Sequence, residues 1–268
     1  MIVSACSEPR EFVANAALPA PPAAEAEDWS GFGVLENVLN WTPEQQLRGY
    51  RNIDRIYPTR PVTASERPYP LPSNWIELTD LRYEVSGATF DVDQFFKHNH
   101  LVGFLIIKRG KVVVERYARG NTPETRWYSF SVAKSVVSML IGAAVRDGYI
   151  QSLDATVTDY LPLLAGSAYG KVSIRDAIQM ASGVAWVEDY TDPQSDIAST
   201  GGSALNRLRY LRKKPRVSPP GRVFNYNTAE ANLLGAVLRA AIGNNLSTYL
   251  EHKIWRPFGM EHDANWLL

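Results

Sequence analysis

Residues 132–145 read VAKSVVSMLIGAAV, a run with apolar side chains on nearly every side of a helix. Such a helix has no polar face to give to water, so other elements must be wrapped around it in layers. The chain has 268 residues, enough for one large domain or two closely joined ones with a sizeable core. Gly148 follows the run and suits a left-handed cap. The anomaly is Lys134, in the first turn of an otherwise apolar helix. An ammonium group there costs desolvation energy unless it lines a cleft or meets a partner.

Upstream, LVGFLIIKRGKVVVERYARG holds two runs of branched apolar residues, 102–108 and 111–117, on either side of Arg109-Gly110. A two-residue connection containing Gly predicts an antiparallel hairpin. Downstream, helices dominate. Ser173 with Asp176 starts a capped helix over SIRDAIQMASG that closes at Gly183, and Pro219-Pro220-Gly221 forces a turn before AEANLLGAVLRAAIG. LSTYLEHKIW forms a further helix, stopped by Pro257 and Gly259. A hairpin followed mostly by helices predicts an α+β layout. Residues 29–72 are turn-rich and read as an irregular lead-in on the domain surface, and residues 1–30 as a tail with no packing pattern.

Lys and Arg total 28 and so do Asp and Glu, a neutral balance that argues against nucleic acid as a partner. The basic run RLRYLRKKPR at 207–216 reads as a solvated helix face leading into a loop. One cysteine, Cys6, rules out an internal disulfide and a Cys-based zinc site. Val3-Ser4-Ala5-Cys6 is similar to the end of a bacterial lipoprotein signal, which makes Cys6 a candidate lipidation site and a membrane tether. The placement would then be the periplasm or cell envelope; only five residues precede Cys6, and the alternative is an untargeted cytoplasmic chain. His98 and His100 start like a metal-binding pair, but no further ligand pattern follows, and they read as surface or core histidines. No G-x-S-x-G elbow, P-loop or dinucleotide fingerprint is present, and neither metal nor organic cofactor is expected.

Ser131 and Lys134 are three residues apart and share one helix face. A hydroxyl at a helix mouth, with a base one turn on and N–H groups favouring negative charge, is what an activated serine requires. Tyr226, in PPGRVFNYNTAEANLLG, sits at the mouth of another apolar helix. The bland reading of that phenol is ordinary packing. Beside a Ser/Lys pair it gains a chemical role, in which one group takes the serine proton while the other returns it to the leaving group.

The ordered signatures SVAKS, QMASGVAW, PPGRVFNYNTAEANLLG and IWRPFGM resemble those of the serine β-lactamase-like hydrolases, a family that includes class C β-lactamases, DD-peptidases and related esterases. YPTRPV, YSFSVAKS and SGVAWVEDYTDPQSD are most similar to its 6-aminohexanoate-dimer hydrolase branch. The resemblance implies a β-lactamase/transpeptidase-like fold, an antiparallel sheet flanked by helices with a helical subdomain. It implies Ser131 as acylated nucleophile, Lys134 as general base and Tyr226 as proton shuttle, with Tyr190 and Thr228 contacting a small amide or ester substrate.

Two departures stand out. Tyr226-Asn227-Thr228 has Thr where the β-lactamases usually have a carboxamide, which weakens the case for β-lactam turnover. The family's late Lys-Thr-Gly-like triplet does not occur, so the chain is expected to be an N-terminal portion of the domain (residues 31–268) with an incomplete sheet. A penicillin-recognising envelope enzyme and a non-catalytic binding domain or inert fragment remain the alternative readings.

Overall fold

The computed structural model describes residues 35–200 and 203–268. Cys6 and the expected tail at 1–30 lie outside the described residues. The described part falls into two compact units, residues 35–131 with 250–268 and residues 132–249.

In the first unit, α1 (Pro43–Arg51) and the single turn α2 (Ile53–Ile56) precede β1 (Thr59–Val62). Then come β2 (Arg82–Val85), β3 (Ala88–Asp91), α3 (Val92–His98), β4 (Gly103–Lys108), β5 (Lys111–Tyr117) and, near the end of the chain, β6 (Ala264–Leu267). Each strand has one antiparallel partner strand: β1 with β6, β2 with β3, β4 with β5. The sheet structure is thus three antiparallel pairs, not one continuous sheet. The predicted hairpin is present, and both turn residues take positive φ, Arg109 at 54° and Gly110 at 74°. Such a pair of angles matches the twist of the strands it joins.

The lead-in is more ordered than its turn-rich sequence predicts. Thr42 and Gln45 cap α1 reciprocally: Gln45 N donates to Thr42 Oγ1 at 3.3 Å and Thr42 N to Gln45 Oε1 at 2.9 Å. Farther on, residues 72–76 run along the outer edge of β5. Val112 N donates to Pro72 O (2.9 Å), and Asn74 N and Ile76 N donate to Val112 O and Val113 O at 2.8 and 3.0 Å. Irregular sequence becomes ordered here because an open strand edge offers its backbone groups as partners. His98 meets Phe90 edge-on and His100 Nδ1 is 2.7 Å from Arg119 Nη1, so neither faces the other as a ligand pair would.

The second unit is helical: α4 (Val132–Arg146), α5 (Val157–Tyr160), α6 (Ile174–Ile178), α7 (Asp196–Ser199), α8 (Ala204–Arg212) and α9 (Thr228–Ile242), with α10 (Leu246–Leu250) at its border. Helix α4 packs on α9, which also receives α5, α6 and α8. Burial on α4 follows a stripe, Val137, Leu140, Ile141 and Ala144, at the i, i+3, i+4, i+7 spacing of one helix face. The expectation of burial all round is therefore corrected. Off the stripe Met139 is 48% exposed and Val132 66%. Helix α8 carries the basic run, with Leu208 and Leu211 turned inward. Among the described residues no helix is long and apolar enough to cross a membrane.

Helix α6 starts as predicted, with Ser173 Oγ accepting from Asp176 N at 3.0 Å, but ends at Ile178, five residues short of Gly183. The left-handed backbone at Met180 ends the helix, and the carbonyls from there on go to another segment. Met180 O accepts from Asn225 N (2.8 Å), Ala181 O from Gly221 N (2.7 Å) and Gly183 O from Val217 N (2.8 Å). Met180 takes φ 52° and Gly183 φ 72° to turn them toward the 217–225 segment. At Gly183 an added Cβ would lie 2.0 Å from the Ser218 carbonyl oxygen. Gly183→Ala is therefore expected to destabilise the helical unit by about 2 kcal/mol or more, read as a lowered denaturant midpoint in chemical unfolding.

Candidate active site

Lys134 occupies the first turn of α4, and Tyr226 is the residue before Asn227, the N-cap of α9. The packing of α4 on α9 brings the two together: Lys134 Nζ lies over the Tyr226 ring, 5.2 Å from its centroid. That distance is within the range of attraction between a cation and an aromatic face. Both side chains are half-buried. Ser131 is exposed and immediately precedes α4, in a turn where Phe130 takes a φ of 44°. No acidic residue occupies the first turn of α4, so the positive end of the helix is left for an incoming negative charge.

The backbone on either side of Tyr226 is held by the segment 180–188. Asn225 donates from its backbone N to Met180 O and from Nδ2 to Trp186 O, at 2.8 and 3.0 Å. Thr228 N donates to Glu188 Oε2 at 2.9 Å, and the Thr228 hydroxyl donates to Glu188 Oε1. Glu188 also accepts from Trp186 Nε1 and from the Tyr190 hydroxyl, each at 2.5 Å. Partial burial works to raise the Glu188 carboxyl, but the bonds from Thr228, Tyr190 and Trp186 outweigh it and hold the group below the usual range. Tyr190 is pushed up to about 12, by burial first and then by its bond to Glu188. It therefore stays a neutral phenol near pH 7.

Two of the residues expected to contact substrate, Tyr190 and Thr228, thus meet on Glu188, a group the sequence reading did not single out. The alternate spacing of Trp186, Glu188 and Tyr190 accounts for two of its four donors; the two from Thr228 lie about 40 residues on and leave no local mark. In an extended segment, alternate residues point the same way. Asp196 holds the far side of this loop, accepting from Val187 N at 2.8 Å and pairing with Lys214 Nζ at 2.6 Å.

Residues 92–267 match the family described as Beta-lactamase. The chain belongs to the beta-lactamase family. It is 27% identical over 184 residues to the 6-aminohexanoate-dimer hydrolase of Paenarthrobacter ureafaciens, an alignment that takes in 65% of this chain and 46% of that one. The chain thus spans about half the length of the curated relative. Among solved structures it resembles a Bacillus anthracis protein assigned as a 6-aminohexanoate-dimer hydrolase, with a TM-score of 0.70 at 20% identity over 83% of this chain and 62% of that one. A Bacteroides dorei protein assigned as a beta-lactamase gives a TM-score of 0.53 at 24% identity, covering 64% and 50% of the two chains. These likenesses establish the β-lactamase/transpeptidase-like α+β fold.

In this beta-lactamase-family chain a second carboxyl, Glu230, lies in the first turn of α9 and is 1% exposed. Tyr169, itself fully buried, donates to its Oε1 at 3.1 Å, and Glu230 N donates to Asn227 Oδ1 at the same distance. Burial moves this carboxyl from its ordinary 4.5 up to about 7, against the lowering effect of bonds from Ser182 and Tyr169. Its proton is held more tightly folded than unfolded. The stability this contributes is fully present below pH 4.5 and is lost as pH rises toward about 7. The loss amounts to about 3 kcal/mol across that window. Glu230→Gln is expected to flatten this part of the stability profile, measured by urea unfolding at intervals between pH 4 and 8.

Proposed function

We propose that this chain carries the nucleophile, base and proton shuttle of a serine hydrolase that cleaves a small amide or ester through an acyl-enzyme. The observation that supports the reading is the approach of Lys134 to Tyr226, with Ser131 three residues before Lys134 at the mouth of the same helix. Ser131 attacks the substrate carbonyl as its proton passes toward Lys134. The N–H groups opening α4 favour the negative charge that develops on the carbonyl oxygen. Tyr226 protonates the departing amine or alcohol, and the proton taken up by Lys134 restores its phenol. Water then attacks the acyl group and frees Ser131. This chemistry draws on side chains and water alone.

Linear amides, the bond type in the substrate for which the Paenarthrobacter relative is named, fit the reading better than β-lactams. Thr228 stands where a carboxamide would hold a β-lactam's side chain, and its hydroxyl and N–H are both directed to Glu188. Covalent capture of a fluorescent penicillin would favour the envelope alternative instead.

A fluorophosphonate probe is expected to label the chain on Ser131, and Ser131→Ala to abolish labelling. Lys134→Ala should slow acylation by about a thousandfold and Tyr226→Phe by about a hundredfold, measured as burst rates with a nitrophenyl ester. Labelling that persists in Ser131→Ala overturns the proposal.

A further inference from the structure

Glu188 has no part in the chemistry above, yet four donors converge on it. Oε2 accepts from Trp186 Nε1 at 2.5 Å and from Thr228 N at 2.9 Å. Oε1 accepts from the Tyr190 hydroxyl at 2.5 Å and from the Thr228 hydroxyl. A carboxylate has about four lone-pair sites, so this one is saturated. It has no acceptor left for a substrate ammonium group, which separates it from a charged residue waiting for a ligand. Its partners lie on two segments, 186–190 and the start of α9.

Those partners bracket Tyr226. Thr228, two residues after it, is bonded through both backbone and side chain. Asn225, one residue before it, is tied to the carbonyl of Trp186, itself a donor to Glu188. Asn227, between Tyr226 and Thr228, caps α9 through Glu230 N. Tyr226 therefore hangs in a short span of chain whose two ends close on the same extended segment. Charge-assisted bonds of this kind are stronger than neutral ones and fix geometry better. A shuttle residue displaced by an ångström loses a large part of its effect.

We propose that Glu188 is a positioning residue: as a saturated carboxylate it fixes the span of chain that carries Tyr226 and, through the same two oxygens, the Tyr190 hydroxyl at the edge of the site. This rests on the serine-hydrolase reading for its kinetic consequence, and on the hydrogen bonds alone for its structural one. The Tyr190 hydroxyl and the span of chain that carries Tyr226 are thereby coupled, because one anion holds the first directly and the second through Thr228. A neutral amide at position 188 can keep all four contacts only by turning its NH2 group to the Tyr190 and Thr228 hydroxyls, which must then accept, and the charge that strengthens and aims the bonds is lost.

The test uses the full chain with Glu188→Gln, Glu188→Asp and Thr228→Val. In Glu188→Gln, kcat for a nitrophenyl ester is expected to fall about a hundredfold with KM within about threefold, and Glu188→Asp, which keeps the charge, to recover at least about tenfold of that loss. Thr228→Val removes one of the four bonds and should cost about fivefold in kcat. With 13Cζ-labelled tyrosine, the NMR resonances of both Tyr226 and Tyr190 should shift in Glu188→Gln. If the wild-type chain is not acylated at Ser131, the hydrolase reading fails while the NMR arm still decides the positioning claim. Unchanged Tyr226 resonances in folded Glu188→Gln and Thr228→Val overturn it. So does a lowered melting temperature with kcat unaltered, which would make Glu188 a strut.

Discussion

The contact between α4 and α9 governs the helical unit. Each helix has 15 residues and turns an apolar face to the interior: Leu140, Ile141 and Ala144 from α4, Leu233, Val237 and Leu238 from α9. Every fully buried Leu or Ile in such a face stabilises by about 1.5–3 kcal/mol relative to its exposed state. That burial places polar residues at the helix mouths that propensity alone would put elsewhere. A lysine in a first turn opposes the helix dipole, at a cost of about 0.3–1 kcal/mol. The chain carries it at α4 with no acid in that turn, and the apolar face supplies far more than the cost.

Around this contact, the loops act as a second layer of order built from backbone bonds. The segment after α6 gives its carbonyls to residues 217–225, and the extended piece that follows gathers α9 through one carboxylate. Loops that carry binding or catalytic groups are commonly positioned by a rigid scaffold. Here the scaffold includes two positive-φ residues, Met180 and Gly183, and a close approach that leaves no room for a methyl group at Gly183. The buried Asp196 with Lys214 and Tyr210 closes the far end, so the 186–196 stretch is pinned at both sides.

What could be read from the amino-acid order was local or strongly punctuated. The hairpin followed from Arg109-Gly110 between branched residues, and both long helices from apolar runs ended by Gly148 and Gly243, each with a φ near +80°. The pairing of Lys134 with Tyr226 was expected from the resemblance of SVAKS and PPGRVFNYNTAEANLLG to the family's ordered signatures, not from either stretch alone. Glu188 was not legible, because its importance comes from four donors on two segments about 40 residues apart, and no window of sequence contains them. The early end of α6 was missed for the same reason: it turns on the left-handed backbone at Met180, whose carbonyl goes to the 217–225 segment. Helix α1 escaped notice because only two of its nine residues are buried and its cap, Thr42 with Gln45, lies in polar text. Segments 59–62 and 72–76 became ordered through pairing with β6 and β5, which their own composition does not announce.

Phe130 has a left-handed backbone although it is not glycine, an arrangement worth about 1–2 kcal/mol of local strain. Its ring is gripped by Tyr50 at 4.8 Å and Tyr128 at 4.1 Å, and Tyr128 N donates to Tyr50 O at 3.1 Å. The backbone leading into Ser131 is thus held by an aromatic clasp whose anchor, Tyr50, sits about 80 residues upstream on α1. Drift at Tyr50 would loosen the turn before Ser131 while leaving Ser131, Lys134 and Tyr226 themselves chemically unaltered.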